Sequence, residues 1–177
     1  IEVQCSTQWD YLSRILYGTS KVITEYIRQG DAYKNICKVI SVSIVFFNLG
    51  EGTDYLYKGT TSFEGLHYHD VLRLGPDEMK IYGQGKTPSD VLPEYYIIKV
   101  NQFRESIKDK FDQWIYFLKN EQIKSDFNAK GIQSAAQKLD MLRLDADQRR
   151  AYENYQKDLH QDASMALPYE VGKEDGI

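Results

Sequence analysis

The chain has 177 residues and a net charge of −4, with 42% hydrophobic and 27% charged residues. These values exclude a disordered tail, a collagen-like fibre and a disulfide scaffold. The net charge is not the strongly basic total that indicates a nucleic-acid-binding protein. A local basic patch beside a metal site is still compatible with it. The two cysteines lack zinc-site spacing, and the longest apolar run is shorter than the roughly 20 residues that span a bilayer. Two isolated thiols fit a reducing compartment, so we expect a cytoplasmic protein. We also expect no membrane partner.

Three segments at the start of the chain predict a βαβ unit. Residues 1–5 alternate in polarity like a strand, and residues 8–29 place apolar side chains at helical spacing. Ser6 and Thr7 are candidate N-caps for that helix. Residues 38–47 form a β-branched and aromatic run that reads as a buried strand. The two strands should lie parallel with a right-handed crossover.

The rest of the chain divides into a strand-bearing part and a helical part. We predict an α/β (α+β) fold in which residues 1–100 form the core and residues 101–177 form a helical extension. Large aromatic side chains, Trp9 among them, are predicted to lie in the core. The predicted elements are strand-like pieces in 55–75, a loop-rich stretch at 76–93, a strand at 94–100, and helices at 106–120, 132–142 and 146–166.

A carboxylate and an amide lie two residues apart at Glu2 and Gln4. Residues i and i+2 of a strand project from the same face, and Mg²⁺ prefers oxygen ligands. The Val3 carbonyl offers another oxygen, and Gln4 offers a hydrogen bond to a metal-bound water. From this pattern alone, two polar residues on the solvent face of a strand are the favoured interpretation.

Arg14, Tyr17 and Lys21 lie at i, i+3 and i+7 of the predicted first helix, so they share one face. The early turns of this helix should lie near the carboxyl edge of the sheet, where α/β proteins usually bind ligands. There, Arg14 and Lys21 could contact phosphates, Arg14 with a bidentate fork. A solvated polar helix face is the competing interpretation and is favoured on these residues alone.

The remaining motifs support no site. His67, His69 and Asp70 lie in an HYHD stretch, but no third zinc ligand follows at a recognisable spacing, so a surface strand or turn is preferred. The chain has no phosphate-binding P-loop, no GxSxG motif and no complete dinucleotide fingerprint.

An ordered series of segments resembles one known family along nearly the whole chain. The series consists of IEVQCS, SRILYGTSK, YKNICKVISVSIVFFNL, DVLRL, EYYIIKV, WIYFLKN and LRLDADQRRAYENYQKDLHQDASM. It resembles the Rpn recombination-promoting nucleases, also called PD-(D/E)XK nuclease family transposases. The order of the segments, more than any single motif, carries the resemblance.

The resemblance implies a restriction-endonuclease-like core with a mixed central sheet and Mg²⁺-dependent cutting of DNA. In the family pattern an Asp and a Glu on successive strands hold the metal, and a Lys or Gln two residues after the Glu handles the water. Glu2 matches that Glu, and Gln4 matches the Lys-or-Gln position. Arg14 and Tyr17 match polar positions on the helix that follows, and Lys21 is a candidate substitute for the family lysine.

The family's upstream Asp has no counterpart in this sequence. We therefore expect a fragment that starts after that position, in which one carboxylate and the neutral Gln4 hold Mg²⁺ weakly.

Three functions follow from these observations. The leading one is that the parent protein is a Mg²⁺-dependent DNA endonuclease that acts in recombination or mobile-element biology, and that this chain is a truncated part of it. The second is a nucleic-acid-binding module with a nuclease-like fold that does not cut. The third is an interaction scaffold, in which the C-terminal helices and the 14 tyrosines form a homo-oligomer interface.

Overall fold

The computed structural model describes residues 1–143 and 147–148. The chain divides into two compact units, Ile1–Ser106 and Ile107–Ile177. The first unit combines a four-stranded mixed sheet with helices, which confirms the predicted mixed α/β class. The helix predicted at 146–166 lies almost wholly outside the described residues. Among the helices that the structure describes, none is long and apolar enough to cross a membrane.

The first unit begins with the predicted βαβ arrangement. Strand β1 (Glu2–Gln4) pairs in parallel with β2 (Ile40–Val45), and helix α1 (Tyr11–Tyr26) lies between them in the chain. The residue before the first turn of α1 is Asp10, so the predicted N-caps at Ser6 and Thr7 are wrong. The parallel pairing is confirmed.

Two further strands complete the mixed sheet. Strand β3 (Leu56–Gly59) pairs antiparallel with β4 (Glu94–Lys99), and β4 pairs parallel with β2. The resulting order is β1-β2-β4-β3, which leaves β1 at one edge. The strand-like piece predicted around residues 69–74 forms only a single bridge, between Glu64 and Val71.

The stretch 76–93, predicted as loop, contains two short helices. Helix α2 spans Pro76–Tyr82, and helix α3 spans Pro88–Val91. Each begins with its proline, which is favoured in the first turn because its missing N–H would have no helical partner there. Thr87 and Asp90 cap α3 reciprocally through side-chain and backbone groups. These prolines therefore start helices, and the prediction of loop is wrong.

One buried cluster of the first unit lies between α1 and one face of the sheet. Tyr11 and Ile15 from α1 pack with Val45 and Phe47, and the Tyr11 and Phe47 rings meet edge to face at 5.5 Å between centroids. The prediction that Trp9 is a core residue is wrong, because its side chain is 96% exposed just before α1.

A lysine is buried on the core-facing side of β4. Lys99 is 1% exposed and lies beside Val45 in the parallel register. Its Nζ donates to the Gly50 carbonyl at 3.3 Å and lies 5.5 Å from the centroid of the Tyr57 ring. Since Tyr57 belongs to β3, this ammonium points away from β1.

A buried carboxylate lies at the start of β4. The Glu94 side chain is 12% exposed and pairs with Lys38 at 2.6 Å and Lys58 at 3.0 Å. The Lys38 ammonium, the Tyr96 hydroxyl and the Lys58 ammonium together hold the pKa of Glu94 at about 2, against 4.5 for the free group. This cluster ties the segment before β2 and strand β3 to β4.

The depressed pKa of Glu94 predicts a loss of stability in acid. The ionised form stabilises the fold fully above pH 4.5, and this contribution is lost as the pH falls towards about 2. The difference in unfolding free energy between the wild type and Glu94→Gln should therefore shrink over that range. Urea unfolding at a series of pH values measures it. The exposed Glu51→Gln is the control, and a constant difference between wild type and Glu94→Gln would contradict the assignment.

The second unit is described for residues 107–143 and 147–148 and contains two helices. They are α4 (Lys110–Asn120) and α5 (Ile132–Arg143). Helix α4 starts later than predicted, because the Asp109 carboxylate accepts hydrogen bonds from the backbone of Phe111 and Asp112. The core of this unit consists of Phe117, Phe127, Ala129 and Ile132.

Candidate functional site

Three of the predicted site residues meet at an open groove between the edge strand β1 and helix α1. The groove has a volume of about 620 Å³. It brings together Glu2, Arg14 and Tyr17, whereas Val3, Gln4 and Lys21 do not line it. The lining residues are Glu2, Gln8, Asp10, Ser13, Arg14, Tyr17 and Gly18.

Glu2 and Arg14 form the charged centre of the groove. The parallel register places Glu2 beside the buried Ser43, on the sheet face that meets α1. Arg14 lies in the first turn of α1, and its Nη2 is 2.6 Å from Glu2 Oε1. Both side chains are partly exposed, so the pair contributes only about 0–1 kcal/mol to stability. Because both side chains reach solvent, a cation could replace Arg14 beside Glu2, or a phosphate could replace Glu2 beside Arg14.

Side-chain hydrogen bonds continue from this ion pair into the turn before α1. Arg14 Nη1 donates to Gln8 Oε1 at 3.0 Å, and Gln8 Nε2 donates to Asp10 Oδ1 at 2.9 Å. The Arg14 backbone N–H also donates to the Asp10 carbonyl at 3.1 Å. Two carboxylates, Glu2 and Asp10, therefore lie on one groove with a guanidinium and an amide between them.

Gln4 lies on the same sheet face as Glu2 but is turned towards the following loop. Its Nε2 donates to the carbonyl and to the hydroxyl of Ser6, at 3.2 and 3.1 Å. These bonds fix the amide group and leave its oxygen without a partner among the described residues. An amide oxygen accepts a hydrogen bond from water but does not take up its proton at neutral pH.

The Val3 carbonyl faces the outer edge of the sheet. In a parallel ladder the backbone groups of alternate residues point to opposite sides. The Gln4 carbonyl accepts from the N–H of Phe46, the residue directly after β2, so the Val3 carbonyl points away from β2. Both the Val3 oxygen and the Glu2 carboxylate are therefore near the edge that β1 forms.

Tyr17 and Lys21 extend along the exposed side of α1. Tyr17 lines the groove with its hydroxyl accessible to solvent. Lys21 lies one turn further on, where its Nζ is 3.7 Å from Glu25 Oε1. The structure thus gathers Arg14 and Tyr17 around Glu2, whereas Lys21 pairs within its own helix.

The oxygen donors at the groove match the ligand type of a hard divalent cation but are few. Glu2 and Asp10 line the groove and supply oxygen, the atom that Mg²⁺ prefers, whereas the Val3 carbonyl lies at the outer edge of β1 and does not line the groove. Within the described residues, no group of three or more His, Cys, Asp or Glu side chains is placed to hold a metal. In particular, the exposed His69 pairs with Glu64 at 3.0 Å.

The sequence interpretation missed Gln8 and Asp10. Asp10 carries a usable signal, because an acidic residue directly before the first apolar residue of a helix marks its start. Gln8 carries none, since its contact with Arg14 depends on how the turn folds.

Residues 1–69 match the model of the PD-(D/E)XK nuclease family transposases, which confirms the resemblance over that segment. The matched segment includes all the residues that line the groove. Neither the curated proteins nor the solved structures gave a match to this chain.

Proposed function

We propose that this chain functions in Mg²⁺-dependent hydrolysis of phosphodiester bonds in DNA, as an endonuclease of the recombination-promoting nuclease or transposase type. One observation carries the proposal: within the segment that matches a nuclease family, Glu2 lies in a solvent-open groove beside Arg14 and Tyr17. A carboxylate beside a guanidinium and a phenol offers groups for both a metal and a phosphate.

Glu2 and the Val3 carbonyl are the proposed metal ligands, with Asp10 as the second carboxylate on the groove. A bound divalent cation would polarise the phosphate and lower the pKa of its water. Gln4, fixed by Ser6, would orient the attacking water through its amide oxygen. It would not remove the proton, because an amide is not a base at neutral pH.

Arg14 and Tyr17 are the proposed phosphate contacts. Arg14 uses Nη1 and Nη2 for Gln8 and Glu2, yet a guanidinium has five N–H donors and can bind a phosphate as well. The Tyr17 hydroxyl would donate to a non-bridging oxygen. Lys21, further along the same face, would contact a neighbouring phosphate after leaving Glu25.

Arg14→Ala should weaken DNA binding and reduce its salt dependence. One lost phosphate contact lowers the slope of log affinity against log salt by about 1. Fluorescence anisotropy of a labelled duplex over a salt series measures both quantities. Arg28→Ala, which removes an exposed Arg beyond the end of α1, should leave both unchanged. Equal slopes for wild type and Arg14→Ala would contradict the phosphate assignment.

A nucleic-acid-binding module that does not cut is the second candidate. It is favoured because few groups are available to bind a metal. Glu2 is already paired with Arg14, and the described residues hold no cluster of three ligand side chains. Duplex binding that falls steeply with salt, without cleavage in Mg²⁺ or Mn²⁺, would select this candidate. The homo-oligomeric scaffold and the cytoplasmic location stay predictions.

A further inference from the structure

A second concave site lies in the first unit and shares no lining residue with the groove at Glu2. Its volume is about 530 Å³, and it lies between the segment after β3 and the loop that joins α2 to α3. This volume falls within the roughly 300–1,000 Å³ of small-molecule sites. The cavity is therefore large enough for a ligand of nucleotide size.

The charged side chains that line this cavity are both cationic. Arg73 and Lys86 line it, and no carboxylate does. Arg73 makes no hydrogen bond or ion pair with another described residue, and Lys86 has only a longer-range interaction with the Asp90 carboxylate. In a chain of net charge −4, such a cavity favours an anion, and an unpaired Arg fits a phosphate particularly well.

Hydrogen bonds hold both walls of the cavity in place. On one wall, the Thr87 N–H and hydroxyl donate to Asp90 Oδ2 at 2.9 and 2.7 Å, and the Ser89 hydroxyl lies 2.9 Å from that of Thr87. On the other wall, the Leu72 N–H donates to the Phe63 carbonyl at 3.0 Å. A ligand would therefore bind without first having to order these segments.

The same cavity presents apolar surface to solvent. Phe63, Val71 and Leu72 line it and remain exposed as large hydrophobic side chains. A planar ring can stack on an exposed aromatic side chain, and burial of apolar area favours binding. The lining therefore offers cations that can contact a phosphate, hydroxyls that can contact a sugar, and a phenyl ring that can stack on a base.

We propose that this cavity binds a phosphorylated nucleotide unit, either a free mononucleotide or the phosphorylated end of a DNA strand. Arg73 and Lys86 hold the phosphate, and Phe63 stacks on the base. The site does not depend on Glu2, so it stands or falls separately from the proposed nuclease activity.

Isothermal titration calorimetry with dAMP, deoxyadenosine and inorganic phosphate tests the proposal. The wild type should bind dAMP, and at least about tenfold more tightly than either part alone. Arg73→Ala should weaken dAMP binding at least about tenfold, the usual cost of losing a charge-assisted hydrogen bond. Phe63→Leu should weaken binding of dAMP but not of inorganic phosphate. Lys80→Ala is the matched control, because Lys80 pairs with Asp77 on α2 and does not line the cavity.

A second titration identifies the source of the nucleotide. A 5′-phosphorylated oligonucleotide that binds more tightly than dAMP, with its unphosphorylated form binding weakly, would assign the cavity to a strand end. Tighter binding of dAMP would assign it to a free nucleotide. The proposal is overturned if Arg73→Ala binds dAMP like the wild type, if no phosphorylated compound binds, or if octanoate binds more tightly than dAMP.

Discussion

Replacing Tyr11 by Ala should destabilise the protein by about 3–5 kcal/mol, the usual cost of removing a buried aromatic ring. Tyr11 is fully buried and packs between Ile15, Val45 and Phe47. Urea unfolding monitored by circular dichroism would measure the loss.

Tyr11→Phe separates the ring from its hydroxyl. The hydroxyl is buried and has no hydrogen-bond partner among the described residues. Burial raises the pKa of this phenol. Because an unsatisfied buried group costs free energy, its removal should be neutral or slightly stabilising. A loss as large as that of Tyr11→Ala would contradict this account.

Glu2→Gln should reduce metal-dependent DNA cleavage by about 100-fold or more, a loss typical of removing a group that stabilises transition-state charge. The substitution keeps the shape of the side chain and removes the negative charge that a cation requires. It also releases Arg14 from its ion pair, so duplex affinity should stay the same or increase. Cleavage should thus fall while duplex binding is retained.

Glu51→Gln is the control for this prediction. Glu51 is exposed and does not line the groove. This variant should therefore cut DNA at the wild-type rate. If Glu2→Gln and Glu51→Gln lower cleavage equally, or if neither lowers it, Glu2 is not the metal ligand.

The hydrophobic pattern of the sequence predicted most of the strands and helix α1, but it did not predict the short helices α2 and α3. β1, α1, β2 and β4 were predictable because alternating or continuous apolar runs mark strands and helical spacing marks α1. Pro76 and Pro88 indicate loop in the sequence, although a proline also starts a helix. The segment around Val71 has strand-like composition but gains only one bridge, since pairing depends on the tertiary neighbours.

The sequence predicted several of the residues at the candidate site, but it did not predict the contacts between their side chains. The spacing of Arg14 and Tyr17 placed both on the same side of α1, and the structure places both on the groove with Glu2. The ion pair between Arg14 and Glu2 and the bond from Gln4 to Ser6 depend on side-chain orientations in three dimensions. Helical and strand periodicity alone does not determine such orientations.

Nicking of supercoiled plasmid DNA by the wild-type chain tests the central claim most directly. The assay compares Mg²⁺, Mn²⁺ and EDTA at one protein concentration, with duplex binding measured on the same preparation. We predict nicked and then linear plasmid in Mg²⁺, and intact plasmid in EDTA. Duplex binding without nicking in Mg²⁺ or Mn²⁺ would contradict the nuclease assignment, and the chain would then be a binding module.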